Sequence, residues 1–151
     1  MKWNWGILVL FLLAGGLAAG AQSSEVLDGI LSREVLQADE CAYLVLAAAG
    51  KIDDQATPEE AFRLLRDTGW ILAAEEAEAA IRLGDYAYLL MQAFDLEGGI
   101  MYRLVPGPRY AARELFFRRL TPENGSPYRV LNGEEAVFML GKFLELPEVQ
   151  S

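Results

Sequence analysis

Six arginines fall between positions 103 and 129: Arg103, Arg109, Arg113, Arg118, Arg119 and Arg129. Only Glu114 and Glu123 oppose them, so this span carries +4, while residues 22 to 102 carry −11 and residues 130 to 151 carry −3. Tyr102, Tyr110, Phe116, Phe117 and Tyr128 are interspersed among the arginines. A guanidinium grips a carboxylate or phosphate through parallel hydrogen bonds, and an aromatic ring stacks on a sugar face, so the combination suits an anionic glycan. Arg109 and Arg113 are four residues apart and share a face if helical. The span therefore nominates Arg103, Arg109, Arg113, Arg118 and Tyr110 as ligand-binding residues. The same charges could instead meet the acidic remainder of the chain inside the fold, with the rings in the core.

Other chemistry is thinly supplied. Histidine is absent, which removes Ser-His-Asp and Cys-His catalysis, the common zinc sites and the usual general base near neutral pH. The carboxylate clusters Glu75-Glu76-Glu78 and Glu134-Glu135 could offer an acid/base pair for glycosidic cleavage, but neighbours in a helix point apart and Ala/Glu runs are normally solvated faces. Asp53-Asp54 is an acidic pair in a turn and lacks the alternating spacing of a calcium loop. Cys41 is the only cysteine, so no intramolecular disulfide can form, and it sits on the apolar face of an expected helix as a small buried hydrophobe. These residues predict a non-enzymatic protein with no metal and no cofactor.

The elements that must position the arginines are helices. Thr57-Pro58-Glu59-Glu60 is a capping box with proline at the first helical position, and Ala61, Phe62, Leu64 and Leu65 follow at helical spacing up to Gly69. Gly84 to Phe94 reads as a second helix, Arg109 to Arg119 as a third, and Gly133 to Leu144 as a last one stopped by Pro147. Ala38 to Ala49 precedes them, closed by Gly50, and the Ala/Glu-rich stretch from Leu72 to Ile81 reads as one more short helix. Met101 to Val105 alternates and reads as a short extended piece, with room for one very short hairpin. Turn residues crowd positions 121 to 127. The fold class expected is all-α.

Three of these helices share a grammar. Leu36-Gln-Ala-Asp-Glu40-Cys-Ala42, Ile81-Arg-Leu-Gly-Asp85-Tyr-Ala87 and Val130-Leu-Asn-Gly-Glu134-Glu-Ala136 each run aliphatic, three variable residues, acid, any residue, alanine. The acids Glu40, Asp85 and Glu134 lie 45 and 49 residues apart, a period of supersecondary size. A helix precedes the second and third copies, and a shorter one, placed at Glu25 to Leu31, precedes the first. The repeats fall near 25–50, 57–97 and 109–145.

This pattern resembles the S-layer-homology family, whose repeats carry a leading helix, a loop, and an Ile-Thr-Arg-Ala-Glu-like element opening a second helix. The resemblance covers most of residues 25 to 145. It implies a small bundle of two-helix repeats in pseudo-threefold arrangement, binding cell-wall polysaccharide in grooves between its prongs. The family's Thr-Arg pair is replaced here by Gln37-Ala38, Arg82-Leu83 and Leu131-Asn132, and the acid is what all three copies keep.

Lys2, an apolar run through Leu13 and the small residues Ala19-Gly20-Ala21 follow the order of a secretory signal cleaved after residue 21. The other reading is a membrane anchor, although the stretch falls short of the ~20 residues a span needs. No cysteine ends the run to take a lipid. Residues 22–151 then make one exported domain of the periplasm or cell envelope with a net charge of −10, which repels nucleic acid and, overall, anionic lipid. Membrane contact is expected only through the signal segment, if uncleaved. The partner expected is a cell-wall polysaccharide. The alternative is an envelope protein, this chain serving as accessory subunit of an envelope or outer-membrane assembly with Phe116, Phe117 and Phe138 exposed. A weaker third reading is a glycan-cleaving enzyme using carboxylates.

Overall fold

A computed structural model describes residues 23–53, 55–70, 73–121 and 124–150. The expected signal, residues 1–21, lies outside the described residues, as do Asp54, Leu72, Pro122 and Glu123. Residues 23–31 are helical (α1). Then come α2 (Ala38–Ala48), α3 (Pro58–Asp67), α4 (Leu83–Ala93), α5 (Ile100–Leu104), α6 (Pro108–Phe117), α7 (Gly133–Leu144) and α8 (Pro147–Gln150). The protein is all-α among the described residues, and no helix there is long and apolar enough to cross a membrane.

Helix starts follow the local chemistry. The Thr57 hydroxyl accepts the Glu60 N–H at 3.3 Å while Glu60 accepts the Thr57 N–H at 2.9 Å, completing the capping box read from the sequence. Asn132 and Glu135 build the same box at the start of α7, at 2.8 and 3.3 Å. Glu40 accepts the Gln37 N–H at 3.1 Å at the start of α2.

The three repeats meet in a closed ring of backbone hydrogen bonds. Leu36 N–H donates to the Leu131 carbonyl (2.8 Å), Leu131 N–H to the Ile81 carbonyl (3.2 Å), and Ile81 N–H to the Leu36 carbonyl (2.9 Å). A second set flanks it: Ala38 to Ala79 (2.9 Å), Leu83 to Arg129 (2.7 Å) and Gly133 to Arg33 (3.0 Å). The cycle satisfies buried backbone groups that would otherwise cost about 1–3 kcal/mol each, and gives the bundle a pseudo-threefold axis. Five residues past each ring member stand Cys41, Tyr86 and Ala136, all fully buried. One large and two small side chains share that layer, and the Tyr86 hydroxyl donates to the Ala136 carbonyl at 2.7 Å.

The leading helices pair across repeat boundaries: α3 packs against α2, and α6 against α4, with α5 on α6 and α8 on α7. These two prongs therefore each join the second helix of one repeat to the first helix of the next. At the start of α7 the chain passes so close to α1 that a Cβ on Gly133 would run into the Ile30 carbonyl. The buried apolar residues described lie between Ile30 and Phe143, so this span carries its own core.

Two local expectations are corrected. Met101 to Val105 is not extended and forms no hairpin. It is the one-turn helix α5, closed by Arg103 N–H to Gly99 and Val105 N–H to Met101, with Tyr102 buried beneath it and bonded to Gln92 at 2.9 Å. The described residues 73–81 are turns and bridges instead of a helix, because the Ala77 and Ala79 carbonyls are taken by the N–H groups that open α2. Tertiary pairing there overrides the helix propensity of an Ala/Glu-rich stretch.

Candidate functional site

The six arginines divide. Arg118 is held inside the fold: its Nε meets Glu114 at 2.9 Å, its Nη1 meets Glu148 on α8 at 3.0 Å, and its Nη2 reaches the Glu97 carbonyl at 3.3 Å. Burial pulls this guanidinium's pKa down, but the two carboxylates outweigh it and hold it above its ordinary value. Arg129 meets Glu135 at 2.6 Å and is largely buried, its Nε and Nη2 finding no partner. Arg103, Arg109, Arg113 and Arg119 have no acidic partner among the described residues and are exposed.

Arg109 and Arg113 stand one turn apart on α6 and line a groove of about 480 Å³ with Phe116, Pro127 and Tyr128. Its far wall is residues 125–128. That loop lies tight against α6 because Gly125 has no side chain; a Cβ there would come within 2.6 Å of Phe116. Tyr128, on that wall, is 70 % exposed. Arg113 also sits 5.4 Å over the Phe117 ring, a cation–π contact that orients the guanidinium. Tyr110 is half-buried and turns to a separate depression of about 320 Å³ between α5 and α6, which Arg113 also borders. Arg103 lies on α5, outside the groove. Of the five ligand candidates, then, the fold brings Arg109 and Arg113 together, sets Tyr110 and Arg103 to one side, and spends Arg118 on structure.

The corresponding helix α3 differs in charge. Pro58 and Pro108 open the two helices, Ala61 matches Ala111 and Leu65 matches Leu115, all four of these core positions fully buried. In that register Arg63 matches Arg113, but Glu59 stands where Arg109 stands. The depression beside α3, about 630 Å³, lies on the side of the preceding loop, lined by Lys51, Asp53, Gln55 and Glu60 among others, and so matches the depression between α5 and α6. Of the two helices, α6 presents two arginines at these positions where α3 presents one acid and one arginine.

The repeat acids are parts of the fold. Glu40 is buried and takes Arg33 Nε at 2.6 Å besides capping α2. Asp85 is buried at the start of α4; desolvation raises its pKa, against the pull of the Ala73 N–H and of Arg82. Glu134 is exposed, and the place of Glu40 is taken in the third repeat by Glu135. The register of that copy is corrected by one residue: the ring member is Leu131, fully buried, and not Val130, 43 % exposed. No group of three or more His, Cys, Asp or Glu side chains that could hold a metal occurs among the described residues.

The residues that sequence reasoning missed are Gly125, Ser126 and Pro127. Their turn chemistry announced a loop, but nothing in it announced which helix the loop would face. No protein-family model, curated protein or solved structure matches the chain.

Proposed function

We propose that this protein is a non-enzymatic binding module of the cell envelope that holds an anionic wall polymer in the groove between α6 and residues 125–128. The observation that carries the reading is Arg109 and Arg113, exposed, without acidic partners among the described residues, and lining one groove with the exposed Tyr128. Two forked cations at one-turn spacing suit successive carboxylates or phosphates along a chain, and the ring suits the sugar between them. The pseudo-threefold ring supports likeness to S-layer-homology repeats, and the signal-like N-terminal sequence supports export. Glu40 and Glu135 are occupied by arginines and helix caps, which speaks against carboxylate catalysis there.

The test is co-sedimentation of residues 22–151 with purified cell-wall sacculi across a salt series. Pelleting that falls with salt, and is lost in the Arg109→Ala/Arg113→Ala double variant while the fold is kept, supports the reading. Protein that stays in the supernatant at every salt overturns it. The second reading, a protein-binding accessory subunit, draws on the exposure of Phe116, Phe117 and Phe138. Cross-linking in cells that captures one envelope protein through these side chains would favour it.

A further inference from the structure

The prong formed by α5 and the end of α6 has a surface unlike the rest of the molecule. From Gly98 to Arg113 the chain has no acid and three arginines, in a protein with 22 acids. Ile100 and Leu104, one turn apart on α5, are 75 % and 71 % exposed, and Phe117 across the neighbouring depression is 67 % exposed. Met101 and Val105 extend the same apolar area. Large aliphatic side chains this far out of the surface, on a helix too short to hide them, are costly to leave in water.

The helix that carries them is fixed. Tyr102 is buried beneath α5 and bonded to Gln92 of α4, which anchors the helix that carries the exposed apolar side chains. Arg103 stands among them, and Arg113 flanks them over the Phe117 ring. Exposed apolar side chains beside arginines that have no acidic partner among the described residues match the boundary layer of an anionic bilayer, where acyl chains accept the former and headgroup phosphates the latter. The chain's overall negative charge does not forbid this approach. At physiological salt, charges more than ~8–10 Å from the contact are largely screened, and the acid that lines the neighbouring depression, Glu114, is paired with Arg118.

We propose that this α5–α6 tip is a lipid-docking surface that seats Ile100, Leu104 and Phe117 in the interface of an anionic membrane, with Arg103 and Arg113 on its headgroups. It shares Arg113 with the wall-polymer groove and otherwise differs from it: Arg109 and Tyr128 line that groove and not the depression beside the tip, while Ile100 and Leu104 lie outside the groove. A module using both would bridge wall and membrane.

The experiment is flotation of the chain from Gln22 onward, which contains the whole described core, with vesicles of phosphatidylcholine alone or mixed with phosphatidylglycerol. Binding to the mixed vesicles is expected, weaker by roughly tenfold on phosphatidylcholine. Ile100→Glu/Leu104→Glu should weaken it by roughly a hundredfold, leave the circular dichroism spectrum unchanged and leave sacculus binding intact. Arg109→Ala should leave vesicle binding unchanged. Absence of flotation with either vesicle overturns the proposal, as does flotation indifferent to the double variant. Photo-cross-linking from position 104 to an envelope protein, without vesicle binding, overturns it in favour of a protein partner.

Discussion

Glu135 holds in the third repeat the place that Glu40 holds in the first: each accepts the N–H of the residue three before it, and each meets an arginine at 2.6 Å, Arg129 and Arg33 respectively. The two carboxylates close helix starts that support the ring of Leu36, Ile81 and Leu131. Glu135→Ala removes a cap and leaves Arg129, two of whose nitrogens already lack partners, with no counter-charge. A loss of about 1–3 kcal/mol is expected. Glu134→Ala, one residue away and exposed, should change stability by less than about 0.5 kcal/mol. Urea midpoints of the two variants check this, and equal losses would refute the one-residue register.

Two glycines of α7 should respond in opposite directions to alanine. At Gly133 the added methyl meets the Ile30 carbonyl, a backbone atom that cannot swing aside, so Gly133→Ala should cost more than about 3 kcal/mol or prevent folding. At Gly141, exposed and with nothing within 4 Å of the added carbon, alanine should stabilise by about 0.5–1 kcal/mol through helix propensity. Thermal unfolding of both decides the matter, and a neutral Gly133→Ala would remove the close approach of α1 to α7.

Asp85 sets a pH dependence. Burial raises its pKa above the ordinary 3.8, so between that value and the raised one the folded chain binds more protons than the unfolded chain. Stability contributed by this group therefore falls as pH rises through that window, and above it the buried charge is a standing cost. Asp39, raised by its own burial, acts with the same sign. Asp85→Asn keeps an oxygen to accept the Ala73 N–H, 3.4 Å away in the parent. It should unfold at higher urea than the parent at pH 7, with the advantage shrinking as pH approaches 3.8. A lower midpoint at pH 7 would contradict this account.

Cys41 should be silent toward thiol reagents in the folded protein. It is fully buried beside the axis, and desolvation, reinforced by Asp85 and Asp39, pushes its thiol well above the usual value. A chromogenic disulfide reagent should titrate no thiol in buffer and one in denaturant. Rapid reaction in buffer would mean that the axial layer of Cys41, Tyr86 and Ala136 opens readily.

The amino-acid sequence determined the longer helices, because their signals are local, but not the one-turn α5 or the non-helical course of residues 73–81. Thr57 and Glu60 cap α3 whatever packs on it, and Asn132 does the same for α7. The spacing of Ala61 and Leu65 fixes a buried face without reference to its partner. The presence of three related helix starts was legible for the same reason, and so was the concentration of arginine on α6. Tertiary structure decided what has no local signal. Val130-Leu131 and Glu134-Glu135 are adjacent pairs of like residues, so a one-residue slip leaves the pattern nearly unchanged; burial of Leu131 in the ring resolves it. Likewise, only the fold separates Arg118, drawn to Glu114 and Glu148, from Arg109 and Arg113, which face the loop of Tyr128. An arginine's role depends on which carboxylate lies within a few ångströms, and that distance is set by chain segments tens of residues away.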